Sequence, residues 1–226
     1  MRMDTNQIVV VTVIVAVIVL FVAAYFGVKK LREYKKIRVG KNGEKKVSKE
    51  LEKIARKSAN RYRVIHDLFL PLYDKTTQID HLVIGKFGIV VVETKAMNGE
   101  IYGTEKDQDW ANVINEHKTR FYNPLLQNKT HIDCVRHILK KENIYRVDVD
   151  SLVVFSEKTA ILNIPRKLPV ITMNLLKKYF KKPRYKKDNN VDVDKVYEAL
   201  MKYRVTDKEK LKQHNTNVKE MAKQKR

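Results

Sequence analysis

Gln78-Ile-Asp-His-Leu-Val-Ile-Gly85 and Gly88-Ile-Val-Val-Val-Glu-Thr-Lys95 are two β-branched runs separated only by Lys86 and Phe87. That is the pattern of two antiparallel strands joined by a tight turn. With Lys86-Phe87 as the turn, Asp80 lies opposite Glu93, and both side chains point to one side of the sheet. Lys95, two residues beyond Glu93, points to that same side. Two carboxylates and an ammonium are therefore gathered at the end of a hairpin whose other positions are mostly apolar.

On the N-terminal side of this hairpin, Gly43 to Lys57 carries Val47, Leu51, Ile54 and Ala55 at three- and four-residue steps, which predicts an amphipathic helix. Tyr62 to Leu70 reads as a strand that Pro71 stops, and Gly99 to Gly103 as a short strand. Helical spacing returns from Asn123 to Lys141, with Asn123 as cap and Pro124 as first residue. A buried strand is predicted at Ser151–Ser156. Two helices follow, Thr172–Lys181 with Thr172 as cap and Val193–Tyr203, and then a polar, basic tail. This order describes an α/β fold: a mixed β-sheet flanked by helices.

The chain has 226 residues, enough for one ordinary domain with an anchor or a tail. Its 47 Lys and Arg against 26 Asp and Glu leave a formal charge of +21, which favours an anionic partner, nucleic acid or a lipid surface. From Lys158 onward there are 20 Lys and Arg and 7 Asp and Glu, a net +13. Cys134 is the single cysteine, so it forms no intrachain disulfide and reads as a small buried hydrophobe.

No residue from Ile8 to Val28 is charged, and the run approaches the ~20 apolar residues that a helix needs to cross a bilayer. A signal peptide has a shorter apolar region and a small-residue cleavage site. Here Lys29, Lys30, Arg32, Lys35, Lys36 and Arg38 follow directly. That block reads as a stop-transfer signal and a contact for anionic lipid, and the positive-inside rule puts the following chain in the cytoplasm. The expectation is a single-pass protein of the cell membrane with its N-terminus outside.

A buried carboxylate pair calls for a cation, and oxygen ligands of this kind suit Mg2+ or Mn2+, which keep positions for water and substrate phosphate. Lys95 could orient the attacking water or stabilise charge in the transition state. Read without such a site, Glu93 and Lys95 are a solvated strand end. The six histidines, including His81 and His131, show no HExxH pair and no Cys partner at zinc spacing. His81 should point away from Asp80, and Trp110 reads as packing. Walker, GxGxxG and GxSxG motifs are absent, which leaves nucleotide hydrolysis and esterase chemistry without support.

Gly40-Lys-Asn-Gly-Glu44, Gln78-Ile-Asp-His81, Gly88 to Lys95, Gly99-Glu-Ile-Tyr-Gly103, Trp110 and Asn123-Pro-Leu-Leu-Gln127 together resemble the nuclease-related domain, NERD. That family is placed in the PD-(D/E)XK nuclease superfamily, and the resemblance covers roughly Gly40 to Ser156. It implies a restriction-endonuclease-like core, Asp80 and Glu93 as metal ligands, and Lys95 as the catalytic lysine. It also implies Glu44 as the acidic residue of the first helix and Gln127 as the polar residue of the later helix that faces the site. Read locally, Glu44 is a first-turn acid that complements a helix dipole and Gln127 a first-turn residue. Ile79 stands where the superfamily name has Pro, which is no ligand.

The organisation that follows is a short extracytoplasmic N-terminus (1–7), a transmembrane helix (8–28), a basic juxtamembrane segment (29–39), a NERD-like nuclease domain (40–157), a C-terminal helical extension (158–204) and a basic tail (205–226). The expected function is membrane-anchored, Mg- or Mn-dependent phosphodiester hydrolysis of nucleic acid, with DNA implied by the resemblance. The alternatives are a tethered nucleic-acid-binding or scaffold module without catalysis, and a protein directed to anionic lipid alone.

Overall fold

The computed structural model describes residues 5–58, 62–73 and 75–224, without the side chains of 5–16, 215, 218, 219 and 221–224. Contacts divide the chain into two units, Met1–Asn42 and Gly43–Arg226, each described by itself. The first is helical over its described residues, as the early part of α1 (Thr5–Lys57). Val17, Ile18, Val19, Leu20, Phe21 and Val22 are consecutive and all exposed, so its apolar side chains cover every face. Among the described residues no helix is long and apolar enough to cross a membrane. Residues 8–16, nearly half of the expected span, lie outside the described side chains. The helix expected to begin at Gly43 is the last part of α1, because two glycines at ~1 kcal/mol each do not stop a helix.

The second unit is built on a five-stranded sheet in the order β1-β2-β3-β7-β9. Its strands are β1 (Arg63–Leu72), β2 (Lys75–Gly85), β3 (Gly88–Lys95), β7 (Val149–Phe155) and β9 (Val170–Thr172). The first three run antiparallel, and β7 and β9 join parallel. Val47 and Leu51 of α1, with Leu176 and Phe180 of α3 (Leu176–Phe180), pack with Val83, Val90, Val92 and Leu152. Ile132, Val135 and Ile138 of α2 (Pro124–Lys141), with Val196 and Leu200 of α4 (Val193–Lys202), pack with Leu82, Ile84, Ile89 and Val91. The central strands are thus covered on both faces and read as almost unbroken apolar runs.

A second mixed sheet is a correction to the single one expected. It has the order β6-β5-β4-β8, with β4 (Gly99–Tyr102), β5 (Asp109–Ile114), β6 (His117–Tyr122) and β8 (Ala160–Asn163). β5 and β6 form a hairpin whose turn residues Asn115 and Glu116 both have positive φ, 46° and 67°. A Glu in that position carries no glycine signal, and β6 is largely exposed, so no hydrophobic alternation marks it. Pro71 does not stop β1: it pairs with Thr76 on an edge strand, where a missing N–H costs no ladder bond. Residues 158–204 contribute β8 and β9 as well as helices, Thr172 makes no side-chain cap, and the basic tail includes a helix, α5 (Lys208–Gln224).

Candidate active site

The hairpin has the register read from the sequence: Gly85 pairs with Gly88, Ile84 with Ile89 and His81 with Val92. Beyond His81 the Asp80 side chain takes over from the ladder, its Oδ2 accepting from the Thr94 backbone N–H at 2.8 Å. Glu93 is 2% exposed, and its Oε1 accepts from Lys95 Nζ at 2.8 Å. Lys95 Nζ also donates to Gln127 Oε1 at 2.9 Å.

Gln127 is placed by local chemistry. The Asn123 side chain accepts from Leu125 N–H, Pro124 starts the helix, and Asn123 Nδ2 donates to the Asp107 carbonyl at 2.6 Å. Asn128, fully buried, then pins α2 to the sheet: its Nδ2 donates to the Val91 carbonyl at 2.9 Å and to Ser151 Oγ at 2.8 Å. One turn on, His131 joins the site, a residue the sequence reading left out. Its Nδ1 bonds Thr77 Oγ1 at 2.8 Å and its Nε2 stands 3.5 Å from Glu93 Oε2. That spacing is too long for a hydrogen bond, and both atoms are buried without one. The available signal was the i, i+4 step from Gln127 to His131, which puts both on one helix face.

Glu44, half-buried on α1, reaches the site through its charge, which acts on both Asp80 and Lys95. Gly43 before it allows the approach: a Cβ there would stand 2.6 Å from Ala96 Cβ and 2.5 Å from Ser156 Oγ.

The two ligand candidates are pushed apart. Burial, then the Glu93 charge, then that of Glu44 raise the Asp80 carboxyl well above the usual range, against the Thr94 N–H and Lys95. Burial would raise Glu93 too, but Lys95 and His131 outweigh it and hold Glu93 below the usual range. Burial would lower Lys95, yet Glu93, Asp80 and Glu44 raise it, so the ammonium stays charged.

Among the described residues no group of three or more His, Cys, Asp or Glu is arranged to hold a metal ion. Two carboxylates are nevertheless the usual protein share of a Mg2+ site, the rest being water and phosphate. A crowded carboxylate with a raised pKa beside a buried, unpartnered Glu93 Oε2 is a donor set that fits a divalent cation.

His81, expected to point away from Asp80, lies on the α1 side of the sheet. It is buried, its Nδ1 2.8 Å from that of His66, whose Nε2 meets Glu52 Oε1 at 3.0 Å. Trp110 is fully buried and donates to the Thr104 carbonyl, so it packs and presents no face to a base. Cys134 is buried, its thiol pushed up to about 11 by burial.

The family model described as nuclease-related domain, NERD, matches residues 39–156. An uncharacterised protein of Bacillus anthracis is 32% identical over 179 residues, covering 77% of this chain and 81% of the relative. No solved structure matches the chain significantly.

Proposed function

We propose, for a chain that belongs to the nuclease-related domain family, metal-dependent phosphodiester hydrolysis of nucleic acid, with DNA as substrate. The observation that carries this reading is the convergence of Asp80, Glu93, Lys95 and Gln127 from two strands and a helix. Asp80 and Glu93 would hold Mg2+ or Mn2+, which when bound polarises a phosphoryl oxygen and lowers the pKa of water.

The chain's own groups do the rest. The Thr94 amide fixes one Asp80 oxygen and leaves the other for a ligand. Lys95 spends two of its three donors on Glu93 and Gln127, so the third can reach an attacking water or a phosphoryl oxygen where negative charge builds. Gln127 sets the direction of that donor. Glu93 first, then Asp80 and Glu44, supply the negative charge that keeps Lys95 protonated.

Anchoring to the cell membrane, with the Gly43–Arg226 unit in the cytoplasm, belongs to the same proposal. It is supported by the uncharged run Ile8–Val28, the exposed apolar residues Val17 to Val28 and the basic block that follows. That block would also contact anionic lipid.

The near-complete burial of Glu93 favours a second reading, a tethered nucleic-acid-binding module without catalysis. Incubating the full chain with plasmid and oligonucleotides in Mg2+, Mn2+ or EDTA separates the two. Metal-dependent cleavage, lost in Asp80→Asn and Lys95→Met, supports the hydrolase; salt-sensitive binding without cleavage in any metal overturns it in favour of the module.

A further inference from the structure

A concavity of about 380 Å³ lies between the end of α1 and the α3 region, on the face of the central sheet away from Gln127 and His131. Lys53 and Lys57 line one side, Lys177 and Lys181 the other, with Ile54, Tyr62 and Phe180 between them. Among the described residues no Asp or Glu lines it. Glu50 serves both rows, 3.7 Å from Lys53 Nζ and 3.8 Å from Lys177 Nζ, one carboxylate for two ammonium groups. A wider cleft of about 670 Å³ contrasts with it, being lined by Arg63 and Lys86 but also by Glu52, Asp192 and Asp194.

We propose that this lysine-lined groove binds single-stranded nucleic acid. Each row has an i, i+4 step, which sets its two ammonium stems ~5–6 Å apart, a spacing that successive phosphates of one strand can meet. Gathering these cations from distant parts of the chain costs repulsion that an anion relieves. The floor adds a surface for a base: the Tyr62 ring is half-buried, held edge-on to Phe87 at 5.2 Å, and its hydroxyl donates to the Tyr185 carbonyl at 2.8 Å. A volume of about 380 Å³ has room for a base of a single strand between the two lysine rows.

The class of partner rests on the function proposed above, but the groove does not depend on cleavage. The test is fluorescence anisotropy of the full chain in EDTA with a labelled single strand of ~12 nucleotides. Lys177→Glu with Lys181→Glu should weaken binding by about tenfold or more and reduce the salt slope by ~1.4, the loss of two phosphate contacts to a single strand. Lys208→Glu with Lys210→Glu changes the net charge equally at exposed positions of α5 and should weaken it far less. Equal losses in both double variants, no loss in the first, or equally tight binding of a duplex would overturn the proposal. So would a groove variant that keeps its oligonucleotide binding and loses binding to phosphatidylglycerol vesicles.

Crosslinking of a 5-iodouracil oligonucleotide to the peptide carrying Tyr62 reads the same contact in the unmodified chain; crosslinks confined to other peptides count against the groove. Groove-dependent binding by a chain that cleaves nothing would support the groove while sinking the hydrolase reading.

Discussion

Glu93 of β3 and His131 of α2 face each other across 3.5 Å in the interior, their side chains 3% and 6% exposed. Thr77 holds the other ring nitrogen at 2.8 Å, so the imidazole limits where Glu93 Oε2 can turn. A partner that orients a ligand typically contributes 10–100-fold to metal affinity. His131→Asn should therefore weaken Mn2+ binding by roughly 10–100-fold, read by calorimetric titration, while the circular dichroism spectrum stays that of the parent. Unchanged affinity would leave His131 with a packing role only.

Glu93 and Lys95 form an ion pair whose side chains are 3% and 18% exposed. Removing one partner strands the other, at about 3–5 kcal/mol, whereas removing both can be nearly neutral. Lys95→Met alone should lower the urea midpoint sharply, and Glu93→Gln with Lys95→Met should recover most of it without cleavage. Additive losses would show that the pair is not coupled.

Gly43 and Gly40 both lie in α1, but only Gly43 meets a neighbour: nothing lies within 4 Å of a Cβ at Gly40. Alanine raises helix propensity by up to ~1 kcal/mol, which Gly40→Ala should retain. Gly43→Ala should instead lose about 1–3 kcal/mol to overpacking against Ala96 and Ser156 and reduce cleavage, because Glu44 moves with it. Thermal unfolding of the two variants makes the comparison, and equal shifts would refute it.

Burial first, and then the His66 charge, lower the His81 imidazole from 6.5 to about 3, against the pull of Glu93. The folded chain thus holds His81 neutral where the unfolded chain protonates it. The resulting contribution is complete above the unfolded value of 6.5 and is lost as pH falls from there toward about 3. At pH ~5 the loss is about 2 kcal/mol. His81→Asn, which keeps a group where Nδ1 meets His66, should flatten that part of the profile, measured as urea midpoints at pH ~7.5 and ~5. An equally steep profile would assign the acid sensitivity to other groups.

The local residue pattern alone specifies the hairpin and its register. Two-residue periodicity and a two-residue turn leave a single pairing that keeps Val91 and Leu82 on one face, and that pairing runs to His81 and Val92, next to Asp80 and Glu93. It also determined α2, since Asn123 and Pro124 act within one turn.

The remainder depends on long-range packing, which no local period reports. The β5–β6 hairpin is polar and turns at Asn115-Glu116, and its stability comes from pairing with β4 and from the burial of Trp110. The parallel pairing of β9 with β7 joins strands separated by β8, which belongs to the other sheet. His131 reaches Glu93 because Asn128 ties α2 to β3 and β7. The lysines of the groove are ordinary surface residues along the chain, and they converge only because α1 and α3 share one face of the sheet. Local patterns fix backbone pairing and helix ends, whereas the surroundings of a charge are set by whatever distant segment the core packs beside it.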